Sequence, residues 1–158
     1  MKLLIVDDEK LTREGIRDSL GLESLGISQV LLEDDGIHGL KTALEERPDI
    51  VLTDVRMPRM NGVQMAERIL KELPGTSIIF MSAYSDKEYL KGAIRLRAAC
   101  YVEKPLDLSE ITAALREVTA ELLRHAQPTE EELFFHGGHS PERPMNQTVF
   151  SCGKSALS

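Results

Sequence analysis

Five side chains could do chemistry together: the carboxylates of Asp7, Asp8 and Asp54, the Ser82 hydroxyl and the Lys104 ammonium. Three carboxylates brought to one point repel one another, which raises the pKa of at least one of them or recruits a cation. An all-oxygen set of this kind suits Mg²⁺, which commonly binds through one or two carboxylates plus phosphate oxygens. With such an ion present, a carboxylate can attack phosphorus, because the metal neutralises the phosphoryl oxygens. Lys104 would add a point charge on a remaining phosphoryl oxygen and Ser82 a hydrogen bond, and the product would be an aspartyl phosphate. Taken singly, each residue has a plainer explanation: an acid at a strand end is commonly a helix cap, and Lys104-Pro105 is a turn. It is the set of five, spread over four apolar runs, that demands a common explanation.

Each of the five stands at the end of an apolar stretch of strand length. Leu3-Leu4-Ile5-Val6 leads into Asp7-Asp8, Ile50-Val51-Leu52-Thr53 into Asp54, Ile78-Ile79-Phe80-Met81 into Ser82, and Ala99-Cys100-Tyr101-Val102, past Glu103, into Lys104. A further short run covers 30–32. None alternates between apolar and polar residues, as expected of strands in a parallel sheet with helices on both faces. Between and after them, helical periodicity predicts helices over 10–21, 36–46, 62–73, 85–96 and 107–126. In the last, Ile111, Leu115, Val118 and Leu122 make one apolar stripe, and Asp107 with Glu110 stand where a capping pair would stand. Pro48 and Pro74-Gly75 close the second and third. If the strands lie parallel, their carboxyl ends share one edge, which is where open α/β sheets place their ligands.

The chain has 158 residues, 42% hydrophobic and 28% charged, a soluble composition with room for one domain and some surplus. Its formal net charge of −7 disfavours direct nucleic-acid binding by this chain. No apolar run approaches the ~20 residues of a membrane helix, and Met1-Lys2 enters a strand with no cleavage pattern behind it. Cys100 and Cys152 show no framework spacing, so reduced thiols and a cytoplasmic location are expected, with Cys100 a small core residue. From Pro128 onward, periodicity ceases. Residues 1–126 are therefore read as the domain and 127–158 as a flexible or loosely packed tail.

Within that tail, Gly153-Lys154-Ser155 echoes a P-loop, but Thr148 occupies the place of its first glycine and no strand precedes it. His136 and His139 lack partners for a zinc tetrahedron, and Glu130-Glu131-Glu132 reads as a solvated charge run. No G-x-S-x-G elbow supports a serine hydrolase.

The residues Ile5-Val6-Asp7-Asp8-Glu9, Asp49-Ile50-Val51-Leu52-Thr53-Asp54-Val55-Arg56-Met57-Pro58-Arg59-Met60-Asn61-Gly62, Met81-Ser82-Ala83-Tyr84 and Tyr101-Val102-Glu103-Lys104-Pro105 together resemble the receiver domain of bacterial two-component response regulators. Four separate blocks agree in order and spacing, over residues 1 to about 126. The resemblance implies an α/β, flavodoxin-like, doubly wound five-stranded parallel sheet of order 2-1-3-4-5 with five helices. It implies that Asp54 takes a phosphoryl group from the histidine of a sensor kinase in a Mg²⁺-dependent reaction, with Asp7, Asp8, Asp54 and the backbone carbonyl of Arg56 as metal ligands. Ser82 and Lys104 would contact the phosphoryl group, and the Lys104-Pro105 bond would be cis. Tyr101 matches the family's switch aromatic, turning as Ser82 moves and remodelling the face of the fourth helix, fifth strand and fifth helix. A half-buried strand aromatic accounts for Tyr101 equally well on the residues alone. Such a domain catalyses only its own phosphorylation and dephosphorylation, and a homodimer is expected to form on phosphorylation.

Leu11-Thr12-Arg13-Glu14-Gly15 and Ser82-Ala83-Tyr84-Ser85 further resemble receivers placed ahead of AraC-type DNA-binding domains. Transcriptional output would need such a further domain, which is not apparent after residue 126; protein–protein signalling is the other output. Arg56 and Tyr84, both bulky and two positions after Asp54 and Ser82, predict a shielded and long-lived phosphoryl group. The alternative function is a Mg²⁺-dependent phosphatase or phosphotransferase working through an aspartyl phosphate. Haloacid-dehalogenase-type enzymes use D-x-D at the first strand, whereas the acids here are adjacent, and no cap domain is available. Flavin binding would need a Ser/Thr-rich loop after the first strand, which is lacking.

Overall fold

The computed structural model describes residues 1–89, 91 and 100–126, apart from the side chains of Tyr84 and Ala126. Five strands, β1 (Lys2–Val6), β2 (Gln29–Glu33), β3 (Ile50–Asp54), β4 (Ser77–Ser82) and β5 (Cys100–Glu103), form one sheet. Their order is β2-β1-β3-β4-β5 and every pairing is parallel. This is the order the resemblance implied. The helices among the described residues are α1 (Lys10–Ser19), α2 (Gly36–Glu46), α3 (Gly62–Glu72) and α4 (Leu108–Ala126). The helix expected over 85–96 falls largely outside the described residues; Tyr84–Asp86 form a 3-10 turn and 87–89 continue helically. The expected tail, 127–158, lies outside them entirely.

Period-two geometry splits the sheet's side chains between two apolar layers. Leu3 and Ile5 point with Ile50, Leu52, Ile79, Met81, Cys100 and Val102 into a core closed by Ile16 of α1 and Ile111, Leu115 and Val118 of α4. Leu4, Val6, Val51, Ile78 and Phe80 point the other way, against Ala43 of α2 and Met65, Ala66 and Ile69 of α3. The three central strands, β1, β3 and β4, are buried on both faces, as their unbroken apolar runs predict. β2 is only half-covered, and β5 alternates between buried and half-buried residues. These two are the sheet's edges, and an apolar run alone does not distinguish edge from centre.

Two details bear on the site. Asn61 and Gln64 form a reciprocal capping box that starts α3 just beyond the β3 loop. Gly62 lies so close to the end of β3 that an added Cβ would run into the Asp54 carbonyl oxygen. Cys100 is buried in β5, as expected of a core residue.

Candidate phosphoacceptor and metal site

Because β1, β3 and β4 run parallel and in register, Asp7 follows the end of β1, Asp54 ends β3 and Ser82 ends β4, all at one sheet edge. Carboxylate oxygens of Asp7, Asp8 and Asp54 lie within 4.8 Å of one another. Asp7 and Asp54 are buried, whereas Asp8 is open to solvent. The Lys104 ammonium stands 3.0 Å from Asp54 Oδ1, so the expected amine meets the expected acceptor. Ser82 is buried, and its carbonyl oxygen accepts from the Lys104 N–H at 2.8 Å, joining the β4 and β5 loops. The Lys104-Pro105 peptide bond is cis, as expected. Tyr101 is half-buried on β5 opposite Phe80, packed against the α2–α3 side of the core. Arg56 sits on the loop leaving β3, two residues beyond Asp54.

The electrostatics of the cluster follow from crowding and burial. Asp7 is pushed up from an ordinary 3.8 to about 6, chiefly by burial, with the Asp54 and Asp8 charges adding to it. Burial likewise raises Asp54, and the hydrogen bond and charge of Lys104 only partly offset that. Burial pulls Lys104 down, yet its hydrogen bond to Asp54 and the charges of Asp54, Asp7 and Asp86 leave it above its ordinary value.

Asp7 also supplies the test of whether a metal would fit. Its Oδ1 accepts the Glu9 N–H at 2.8 Å, while its buried Oδ2 has no hydrogen-bond partner. A buried, unpaired oxygen on a carboxylate clustered with two others is costly without a cation. The donor set, all carboxylate oxygen, fits a hard divalent ion.

Several residues that hold this site in place escaped the sequence reading. Arg13 donates to the Asp7 carbonyl oxygen at 2.6 Å, fixing the loop after β1 from α1. Arg59, in the left-handed region at φ 69°, reaches the buried carboxylate of Asp35, which also caps α2 through the His38 N–H. Asp86 is buried; its Oδ2 accepts the Ala83 N–H at 2.7 Å and its Oδ1 lies 2.8 Å from Arg56 Nε. Asp86 takes the N–H three residues before it as the acidic half of a capping box does, but Ala83 has no side-chain acceptor to complete the pattern, so the sequence gives no capping signal there. No sequence pattern points to the cross-loop pairs of Arg13 and Arg59.

The sequence matches the response regulator receiver domain over residues 3–116. The chain belongs to that family. Among solved structures it is similar to a two-component transcriptional regulator AraC from Clostridium phytofermentans ISDg, at 51% identity and a TM-score of 0.75, covering 80% of this chain and 98% of that one. The receiver domain of AraT, a response regulator from Geobacillus stearothermophilus, has the same TM-score and the same coverage at 32% identity. A response regulatory protein of Staphylococcus epidermidis is 33% identical over 140 residues, or 89% of this chain and 55% of the relative. The chain spans 33% to 55% of the length of such curated relatives. As a receiver it is a signalling domain whose acidic pocket can hold a metal ion. No helix among the described residues is long and apolar enough to cross a membrane.

Proposed function

We propose that this receiver takes a phosphoryl group on Asp54 from the phosphohistidine of a sensor kinase, in a Mg²⁺-dependent reaction, and signals through a change in its surface. The observation that carries the reading is the Lys104–Asp54 contact of 3.0 Å beside the unpaired Oδ2 of Asp7. Asp7, Asp8, Asp54 and the Arg56 carbonyl would hold the ion, which when bound would neutralise charge on the phosphoryl oxygens. An Asp54 carboxylate oxygen forms the new O–P bond as the donor's P–N bond breaks, and the leaving imidazole takes up a proton. Lys104 then turns from the carboxylate it pairs with to a phosphoryl oxygen, and the Ser82 hydroxyl donates to another. Tyr101, half-buried and packed against the core on the Phe80 side, would settle inward once Ser82 shifts.

The output proposed is transcriptional, by likeness to the regulators named above, with protein–protein signalling as the other route. Homodimerisation on phosphorylation, the lack of nucleic-acid contact by this chain itself and a cytoplasmic location belong to the same reading. Intact-mass measurement after incubation with acetyl phosphate and Mg²⁺ tests it. The wild type is expected to gain one phosphoryl group, and Asp54→Asn or chelator to abolish the gain. Equal gain by Asp54→Asn would refute Asp54 as acceptor.

A further inference from the structure

The Arg56 side chain does not lie free across the mouth of the site. Its Nε stands 2.8 Å from Asp86 Oδ1, its guanidinium donates to the Ser85 carbonyl oxygen at 3.2 Å, and it rests 5.5 Å from the centre of the Tyr89 ring. Three contacts from the β3 loop thus fall on the segment that follows Ser82.

Asp86 is a fourth acid beside the cluster, and its situation is unusual. The side chain is only 3% exposed, whereas that of Arg56 is 57% exposed. Asp86 Oδ2 is satisfied by the Ala83 N–H, but Oδ1 has no aligned hydrogen bond. The Arg56 charge is therefore what compensates that oxygen, since a buried carboxylate left without a countercharge is strongly unfavourable. Asp86 Oδ2 accepts at 2.7 Å from the N–H of Ala83, the residue after Ser82, and the Ser82 carbonyl oxygen accepts from the Lys104 N–H at 2.8 Å, so two hydrogen bonds set the Asp86 loop against that of Lys104. Lys104 thus has Asp54 at 3.0 Å and a second buried acid on the adjoining loop.

We propose that Arg56 is a positioning residue which, by neutralising Asp86, keeps Lys104 committed to Asp54 and keeps a fourth negative charge from opposing the incoming phosphoryl group. Removing the guanidinium leaves an uncompensated buried carboxylate next to the ammonium that phosphoryl transfer needs. Lys104 is drawn from Asp54, and the anionic donor meets added repulsion. Both effects slow transfer, and both vanish if Asp86 loses its charge. Asparagine at position 86 keeps an oxygen to accept from Ala83 N–H, so the turn survives while the charge goes.

This inference rests on Asp54 as phosphoacceptor and is tested by a double-mutant cycle on phosphorylation rate with acetyl phosphate at saturating Mg²⁺, with thermal unfolding of each variant in parallel. R56A is expected to slow phosphorylation about fivefold to fiftyfold, within the span of coupling between groups in contact. R56K is expected to keep most of the rate, and R56A/D86N to return to within about twofold of D86N alone. A purely structural role would instead make the double variant at least as slow as R56A and less stable. An R56A rate equal to wild type, or a slowing that D86N leaves in place, overturns the proposal. Absence of phosphorylation in the wild type overturns the function reading, and this inference with it.

Discussion

At the scale of single residues the site is held in tension, and Asp7 measures how much. Its folded-state pKa, about 6, stands above the ordinary 3.8, so the protonated carboxyl is the form the fold prefers. The stability this confers is fully present below about pH 3.8 and is lost as pH rises through about 6. In metal-free protein, Asp7→Asn is therefore expected to raise stability near neutral pH by on the order of 1–3 kcal/mol. The gain should fade on acidification toward pH 4. Urea unfolding in chelator at the two pH values checks this. A variant less stable than wild type at neutral pH would mean that the crowded carboxylates are already relieved by contacts within the fold. The same electrostatic strain suits a cation site, since a metal ligand set is unfavourable until the ion arrives. The chemistry-bearing residues were legible because each is a polar residue closing an apolar run. Asp86 and the Arg56 side chain were less so, since their roles depend on two loops meeting, which no local pattern encodes.

At the scale of elements, glycine positions divide by what surrounds them. Gly62 opens α3 against the end of β3, where a Cβ would collide with the backbone carbonyl of Asp54 itself. Gly15 lies within α1 with no heavy atom near the place its Cβ would take. Gly62→Ala is thus expected to destabilise by roughly 1–3 kcal/mol and to disturb the acceptor, as overpacking does. Gly15→Ala should instead stabilise by about 0.5–1 kcal/mol through helix propensity. Chemical denaturation of both variants checks the contrast, and a neutral Gly62→Ala would show that the β3–α3 junction yields more readily than its geometry implies. Element identity was well marked in the sequence: α4 follows from the Ile111, Leu115 and Val118 stripe, all three buried. Degree of burial was not. The runs at β2 and at β1 look alike as letters, yet β2 has a strand on one side only.

For the whole molecule, parallel order does what no single element can. It carries residues from positions 7, 8, 54, 82 and 104 to one edge, and the strand order was implied by resemblance to a family rather than by any periodicity. The central strands could be recognised as parallel from their uninterrupted apolar character; which strand neighbours which could not. The surface that includes β5 and α4 is the expected route from the site to a second copy of the chain. Sedimentation with Mg²⁺, with and without beryllofluoride as a phosphoryl mimic, should show a shift from monomer toward dimer only when the mimic is present. An unchanged monomer would remove dimerisation from the account.

The central claim is that Asp54 itself becomes an acyl phosphate. Borohydride reduction of the phosphorylated protein, followed by peptide mass mapping, reads this directly, because reductive cleavage of an aspartyl phosphate leaves homoserine. Homoserine at position 54 alone is the expected result. Homoserine at 7 or 8, or a phosphoryl group on another residue with position 54 intact, would contradict the account.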